Sequence, residues 1–273
     1  KKVGAHAIKL QSYDADSMTL NSNNKFFLIK DKKSLWYRKN LYDLYKEAAL
    51  PYNWYKEIFA EAKKNNIICF STPFDENSVD YLDSFNVPAY KIASFENNHI
   101  PLIEKVITKK KPLIISLGAT TKREINYLYN FLIKKKFYNF AFLQCTSSYP
   151  AKIEDSNIKT IIDLREKYKI EIGLSDHTPG IGAAVAAISY GATIIEKHFT
   201  LDKNAGGFDD IFSMDPDDFR LLVNETKNAW LSLGKISYGL SKDEKRHKMF
   251  KRSIFVSKNI KKNEKFTEDN LKI

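Results

Sequence analysis

The sequence is short of arginine, of cysteine and of long apolar runs. Of its 44 basic residues only six are Arg, although the formal net charge is +11. Arg is the side chain that reads guanine edges bidentately and grips phosphates as a planar fork, so a charge carried by lysine argues against nucleic-acid binding. The runs Lys109-Lys110-Lys111 and Lys134-Lys135-Lys136 fall at predicted helix ends and read as solvated faces. A positive field of this kind also favours a small anionic substrate. The two cysteines, Cys69 and Cys145, lie in separate predicted strands, which fits a reduced protein better than a disulfide-stapled one. No apolar run approaches the roughly 20 residues that a membrane span needs, and the first residues show no secretory-signal pattern. We therefore expect a cytoplasmic protein with neither membrane nor nucleic acid as partner.

What is present is a regular alternation of strands and helices in a chain of 273 residues, 43% hydrophobic, enough for a large core. Strands are predicted at 7–13, 67–73, 89–94, 113–117, 140–147, 171–177 and 193–200. Helices fall between them, for example at 52–65, 79–84, 121–135, 157–168 and 181–190. Seven strands, each followed by a helix, predict a parallel α/β fold of the (β/α)8 TIM-barrel type with one strand missing. Lys1–Val3 followed by Gly4 reads as the tail of a helix and its C′ glycine, so we expect an earlier strand and helix upstream of this chain. Residues 14–50 form a long insertion after the first strand, a common place for a substrate loop. We expect a barrel over 1–238, a linker over 239–250 and, from the strand-like Ser253-Ile254-Phe255-Val256, the beginning of a second domain over 251–273.

Two segments carry the chemistry most directly: Leu174-Ser175-Asp176-His177 and Ile195-Glu196-Lys197-His198-Phe199. Each ends an apolar strand on a histidine, and a helix-length stretch separates them, so they form a β-α-β unit. Strands about 4.8 Å apart bring two histidines at the same end within reach of one cation. Two readings stand, a metal site or two separately hydrogen-bonded imidazoles. His6, His99 and His247 have no comparable setting and read as surface residues.

Polar residues also recur where barrel strands are usually Val, Ile and Leu. Lys9 and Gln11 share one face of the first strand, and Lys91 sits in the third. A buried ammonium is costly unless it is paired, so Lys9 and Lys91 at one barrel mouth call for an anion. Thr72, Ser94, Ser116, Ser147 and Ser175 offer hydroxyl donors for a phosphate cradle, although each taken alone reads as an ordinary strand-end residue. Glu96 and Glu196 are the carboxylates nearby, candidates for orienting a hydroxylated substrate or for general-base work. Glu196 shares the parity of His198, facing the interior or supporting the metal site. Lys197 has the opposite parity and points toward the helices.

Taken in order, Lys9-Leu10-Gln11, Phe70-Ser71-Thr72-Pro73-Phe74, Lys91-Ile92-Ala93-Ser94-Phe95-Glu96, Cys145-Thr146-Ser147-Ser148-Tyr149-Pro150, Gly173-Leu174-Ser175-Asp176-His177 and Glu196-Lys197-His198-Phe199-Thr200 resemble the sialic acid synthase family. The likeness is to its pseudaminic acid synthases in particular, through Phe27-Leu28-Ile29, the run from Leu41 to Ala48, the Phe95-Glu96 pair and Phe212-Ser213. Sialic acid synthases proper usually carry Gly at the positions of Ala93 and Phe95. The resemblance implies a barrel enzyme that condenses phosphoenolpyruvate with an open-chain amino-sugar aldehyde, using Mn²⁺ or Mg²⁺. It implies His177 and His198 as metal ligands. Lys9, Gln11, Thr72, Lys91, Ser94, Ser116, Ser147 and Ser175 would hold phosphoenolpyruvate, with Lys91 and Glu96 catalytic. Glu96, Tyr149 and Glu196 would face the sugar. It further implies a first strand bearing Glu and an Asn-His pair, and a C-terminal antifreeze-like (SAF) domain. In a homodimer that domain supplies an Arg to the partner's site. Ser116-Leu117-Gly118-Ala119 replaces the family's usual Ser-Thr-Gly-Met, and Phe208 its usual Pro. N-acetylneuraminate or legionaminate synthesis is the competing enzyme reading. A non-catalytic polyanion-binding barrel is the reading from another class, and it predicts steeply salt-dependent binding.

Overall fold

The computed structural model describes residues 1–273 apart from Lys33 and Leu35, which fall in the 14–50 insertion and lie outside the described residues. Two compact units occur, Lys1–Leu233 and Gly234–Ile273. In the first, β1 (Ala7–Ser12), β2 (Ile68–Pro73), β3 (Tyr90–Ile92), β4 (Leu113–Ser116), β5 (Phe140–Cys145), β6 (Glu171–Asp176) and β7 (Ile195–Lys197) form one parallel sheet in chain order. Helices α1 (Ala15–Met18), α2 (Leu41–Ala48) and α3 (Tyr55–Lys64) lie between β1 and β2. The later connections carry α4 (Glu76–Ser84), α5 (Ile100–Thr108), α6 (Lys122–Lys134), α7 (Thr160–Tyr168) and α8 (Gly182–Ser189), and α9 (Pro216–Leu233) follows β7. This is the α/β, TIM-type architecture expected, open between β1 and β7. The second unit holds α10 (Lys242–His247) and an antiparallel pair, β8 (Phe255–Val256) with β9 (Leu271–Lys272).

All seven predicted strands of the sheet occur, each shorter than expected, with β3 and β7 losing half their span or more. β3 stops at Ile92 because Ser94–Glu96 winds into a 3-10 turn. β7 stops at Lys197, after which Phe199 bridges to Met214 instead. Helix α4 starts before residue 79 because Asp75 caps it, its Oδ1 accepting from Ser78 N at 2.8 Å. Helix α7 starts at Thr160 because Asn157 takes a left-handed φ of 45°, which a helix cannot contain.

The strands divide by face. Ile92, Ile115, Phe142 and Ile172 are register partners across β3 to β6, and all four are fully buried under the helices. The other face cannot be flat. β3 and β7 are four strand spacings apart, about 19 Å in a planar sheet, yet Lys91 Nζ on β3 lies 3.4 Å from Glu196 Oε1 on β7. The sheet curls until side chains from both strands meet inside it. Replacing Ile115 with Ala opens a cavity in the outer row and is expected to cost about 2–5 kcal/mol, measured by denaturant titration.

Candidate active site

Strand alternation builds the site. Register pairs Lys9 with Phe70 and Gln11 with Thr72, Lys91 with Ile114, Cys145 with Ser175 and Ser175 with Glu196, so these residues share the inner face. Lys91 is only 2% exposed; its Nζ donates to Ser116 Oγ at 2.7 Å. Ser175 Oγ donates to Glu196 Oε1 at 3.0 Å. Burial alone would push the Glu196 carboxyl up, but Lys9, Lys91, Ser175 and His198 together hold it down at about 2. Burial pushes the Lys91 ammonium down, with Glu196 opposing. The anion expected beside the buried lysine is therefore internal to the chain. With Lys9 included, two cations face one carboxylate, and the cluster keeps one positive charge.

Hydroxyls ring this cluster. Ser94 Oγ accepts from Gly118 N at 3.1 Å and donates to Cys145 Sγ at 3.4 Å; Ser147 Oγ lies 3.8 Å from the same sulfur. A Cβ at Gly118 would stand 2.0 Å from Ser147 Oγ and 2.6 Å from Ser94 Oγ, so only glycine leaves that space open. Thr72 Oγ1 is buried without a hydrogen-bond partner. Cys145 was not foreseen as a site residue, although in the predicted strand at 140–147 it shares the parity of Ser147.

At the mouth, the Ser94–Glu96 turn buries Glu96 Oε2, again without a partner. Burial pushes this carboxyl up to about 7, against the pull of its own backbone N–H and of Lys91. Helix α2 of the insertion comes close, since burial and the charge of Glu96 both raise Tyr45. Tyr13 packs edge-on to Tyr45 at 5.9 Å and to Phe74 at 5.3 Å between ring centroids. Lys39 caps the Phe208 ring at 4.9 Å. The insertion thus lies over the strand ends.

His177 and His198 stand one residue past β6 and β7, with ring centroids 5.3 Å apart. Tyr149 lies 4.4 Å from His177 and 6.0 Å from His198, and Phe212 5.1 Å from His198. His177 Nδ1 is 2.9 Å from Thr146 O, and His198 Nδ1 is 3.2 Å from Asp209 Oδ2. A carbonyl or carboxylate oxygen only accepts, so each neutral ring carries its proton on Nδ1 and its lone pair on Nε2. That is the support a histidine metal ligand normally has. No group of three or more His, Cys, Asp or Glu side chains among the described residues is placed to hold an ion. The imidazoles offer two positions, and oxygen ligands from substrate or water would complete the sphere. Asp209 sits in a loop far along the chain, which strand patterning does not reach. Lys197 faces outward, as its parity requires.

The curled parallel sheet and its charged, hydroxyl-rich lining define a TIM-type α/β fold with its polar chemistry gathered on the inner face. The chain matches the NeuB family over residues 1–238 and belongs to it. It is 43% identical over 272 residues to the pseudaminic acid synthase of Campylobacter jejuni serotype O:2, covering 100% of this chain and 79% of that protein. It is 40% identical over 273 residues to the pseudaminic acid synthase of Helicobacter pylori, covering 80% of that protein. Among solved structures, the N-acetylneuraminic acid synthetase of Leptospira borgpetersenii matches with a TM-score of 0.78 at 31% identity, over 91% of this chain and 81% of that one. No helix among the described residues is long and apolar enough to cross a membrane.

Glu196→Gln leaves Lys91 buried without its counterion and is expected to destabilise the fold by about 3–5 kcal/mol, read by denaturant titration. Because the carboxyl sits below its ordinary 4.5, its stabilisation is complete above that pH and is lost as the pH falls toward 2. That acid limb should shrink in the variant. Gly118→Ala is expected to weaken binding of a phosphate-bearing ligand at least tenfold, measured by calorimetry, because its methyl displaces the Ser94 and Ser147 hydroxyls.

Proposed function

We propose that the protein catalyses the pseudaminic acid synthase reaction, condensing phosphoenolpyruvate with 2,4-diacetamido-2,4,6-trideoxy-L-altrose and releasing phosphate. The observation that carries this reading is the inner face itself. It sets a cluster with one positive charge over, and a ring of hydroxyls, beside two supported imidazoles and a carboxyl poised near neutrality. The identity of 40–43% to two named pseudaminic acid synthases supports the choice of sugar.

In this reading Lys9, Gln11, Thr72, Lys91, Ser94, Ser116, Ser147 and Ser175 bind the phosphate and carboxylate of phosphoenolpyruvate. Thr72 Oγ1, buried and unpartnered, gains its missing hydrogen bond there. Tyr149 and Glu96 face the sugar from either side of the mouth, and Glu196 keeps Lys9 and Lys91 in place. When bound to His177 and His198, Mn²⁺ or Mg²⁺ would polarise the sugar aldehyde as a Lewis acid. Carbon 3 of the enol attacks the aldehyde carbon, whose oxygen takes up a proton from water, and an oxocarbenium ion is left at carbon 2. Water adds there and gives one proton to Glu96. The hydroxyl so formed becomes the ketone, its proton passing to the departing phosphate oxygen as the carbon–oxygen bond to phosphate breaks. The anionic form of Glu96 also stabilises the cation electrostatically.

Two measurements test this on the full-length protein. Phosphate release should be faster with the altrose derivative than with N-acetylmannosamine or the legionaminic acid precursor; the reverse order would overturn the choice of sugar. Activity should rise with pH through about 7 as Glu96 loses its proton. Glu96→Gln should remove that limb and lower kcat by about 10²–10⁴. An unaltered limb in the variant would assign the base elsewhere.

A further inference from the structure

The sheet face opposite the imidazoles carries one more pair of charges. Asp176 and Lys197 are the last register partners of the β6–β7 ladder, and each immediately precedes one of the two histidines. Lys197 Nζ lies 2.7 Å from Asp176 Oδ2, with the side chains 2% and 1% exposed. The other carboxylate oxygen accepts from Thr178 N at 2.9 Å and from Thr178 Oγ1 at 2.8 Å. The ammonium also donates to Thr178 O. Neither residue reaches the inner face, so neither touches the site.

Stability does not account for such a pair. Taking both charges out of water costs so much that apolar replacements are often as stable or more so. Register does account for it. β7 has three residues and three register pairs, a short ladder to hold two chemical faces apart. A slip of one residue would exchange those faces. Glu196 and His198 would leave the interior, and Lys197 would enter beside Lys9 and Lys91. Such a slip would strand Asp176 as a buried, uncompensated charge. The pair therefore penalises the wrong register far more than an apolar contact of equal size would.

We propose that the Asp176–Lys197 pair locks the β6–β7 register and thereby aims the imidazoles of His177 and His198 at one point. Asp176 and Lys197 are positioning residues that act through the backbone to which both histidines belong. The aiming role rests on the reading of these histidines as ion ligands; the register role does not.

The test uses full-length protein carrying Asp176→Asn with Lys197→Met, which removes both charges and strands neither. Three quantities are compared with wild type: amide hydrogen exchange, Mn²⁺ affinity and phosphoenolpyruvate affinity. Leu174 N–H, bonded to Ile194 O at 2.8 Å, should lose at least tenfold in protection. Leu117 N–H, bonded to Leu143 O at 2.9 Å, should keep its own. Mn²⁺ affinity by calorimetry should fall by about 10–100-fold, as it does when the support of a metal ligand is lost. Affinity for phosphoenolpyruvate should fall less than that for Mn²⁺, since of its proposed ligands only Ser175 lies on β6 or β7, and an equal or greater fall would overturn the aiming role. Equal loss of protection at Leu174 and Leu117 would make the pair a general stabiliser and overturn the proposal, as would no change at either. Lost protection with unaltered Mn²⁺ affinity would overturn the aiming role. A wild-type protein that binds no Mn²⁺ would overturn the metal reading, leaving the register role to be decided by exchange alone. If that double variant does not fold, Asp176→Asn with Lys197→Gln, which likewise removes both charges, is read in the same way.

Discussion

The contact between Lys91 and Glu196 organises most of what surrounds it. These residues sit on β3 and β7, and their 3.4 Å approach requires the sheet to close most of a circle. Neither charge is tolerable alone at this depth, since an unpaired buried ion costs several kcal/mol. Together, with Ser116 on the ammonium and Ser175 on the carboxylate, they make a polar interior possible in a fold whose strands are usually apolar on both faces. The outer row of Ile92, Ile115, Phe142 and Ile172 supplies the hydrophobic stabilisation that the inner row gives up. One face of each strand is thus committed to holding the sheet together, which leaves the other free for chemistry.

What was legible in the sequence follows from this division. Period-two alternation assigns Lys9, Gln11, Lys91, Ser116, Ser175, Glu196 and His198 to one face without knowledge of tertiary structure, and the register pairs place all of them there except His198, which stands one residue past β7. Parity also placed Lys197 outside, but its partner depends on how β6 and β7 align, which one strand read alone does not reveal. Cys145 was within reach of the same logic, because it stands two residues before Ser147 and opposite Ser175. It was passed over because a cysteine in a strand reads as core. The strand ends were less legible. The ladder at β3 yields to the Ser94–Glu96 turn and that at β7 to the bridge with Met214, both set by tertiary contacts. Asp209 and the approach of Tyr45 to Glu96 arise from segments distant in the chain, and no local pattern announces them.

The two carboxylates show how one interior supports two electrostatic roles. Glu196 lies among Lys9, Lys91 and His198 and is held near 2. Glu96 sits at the mouth with one buried oxygen unpartnered and only its own backbone N–H and Lys91 to stabilise its charge, and burial raises it to about 7. The difference is one of neighbours, because burial pushes both carboxyls up and only Glu196 has enough cations to reverse the push. Environments that separate two like groups in this way define a fixed charge and a proton carrier at the same pH.

That separation bears on the ligand the site would take. Glu196 already neutralises one of the two lysines, so the cluster alone offers a single positive charge to a phosphate-bearing anion. Removing Glu196 would raise that charge but would cost the fold the carboxylate paired to Lys91. The remaining attraction must come from neutral donors, which explains why Ser94, Ser116, Ser147, Ser175 and Thr72 crowd the same strand ends. Hydroxyls need no counterion when the ligand leaves. Ser116 and Ser175 bond Lys91 and Glu196, while Ser94 bonds Cys145 and Gly118. Among these five hydroxyls, Thr72 Oγ1 is the one that lacks a hydrogen-bond partner among the described residues.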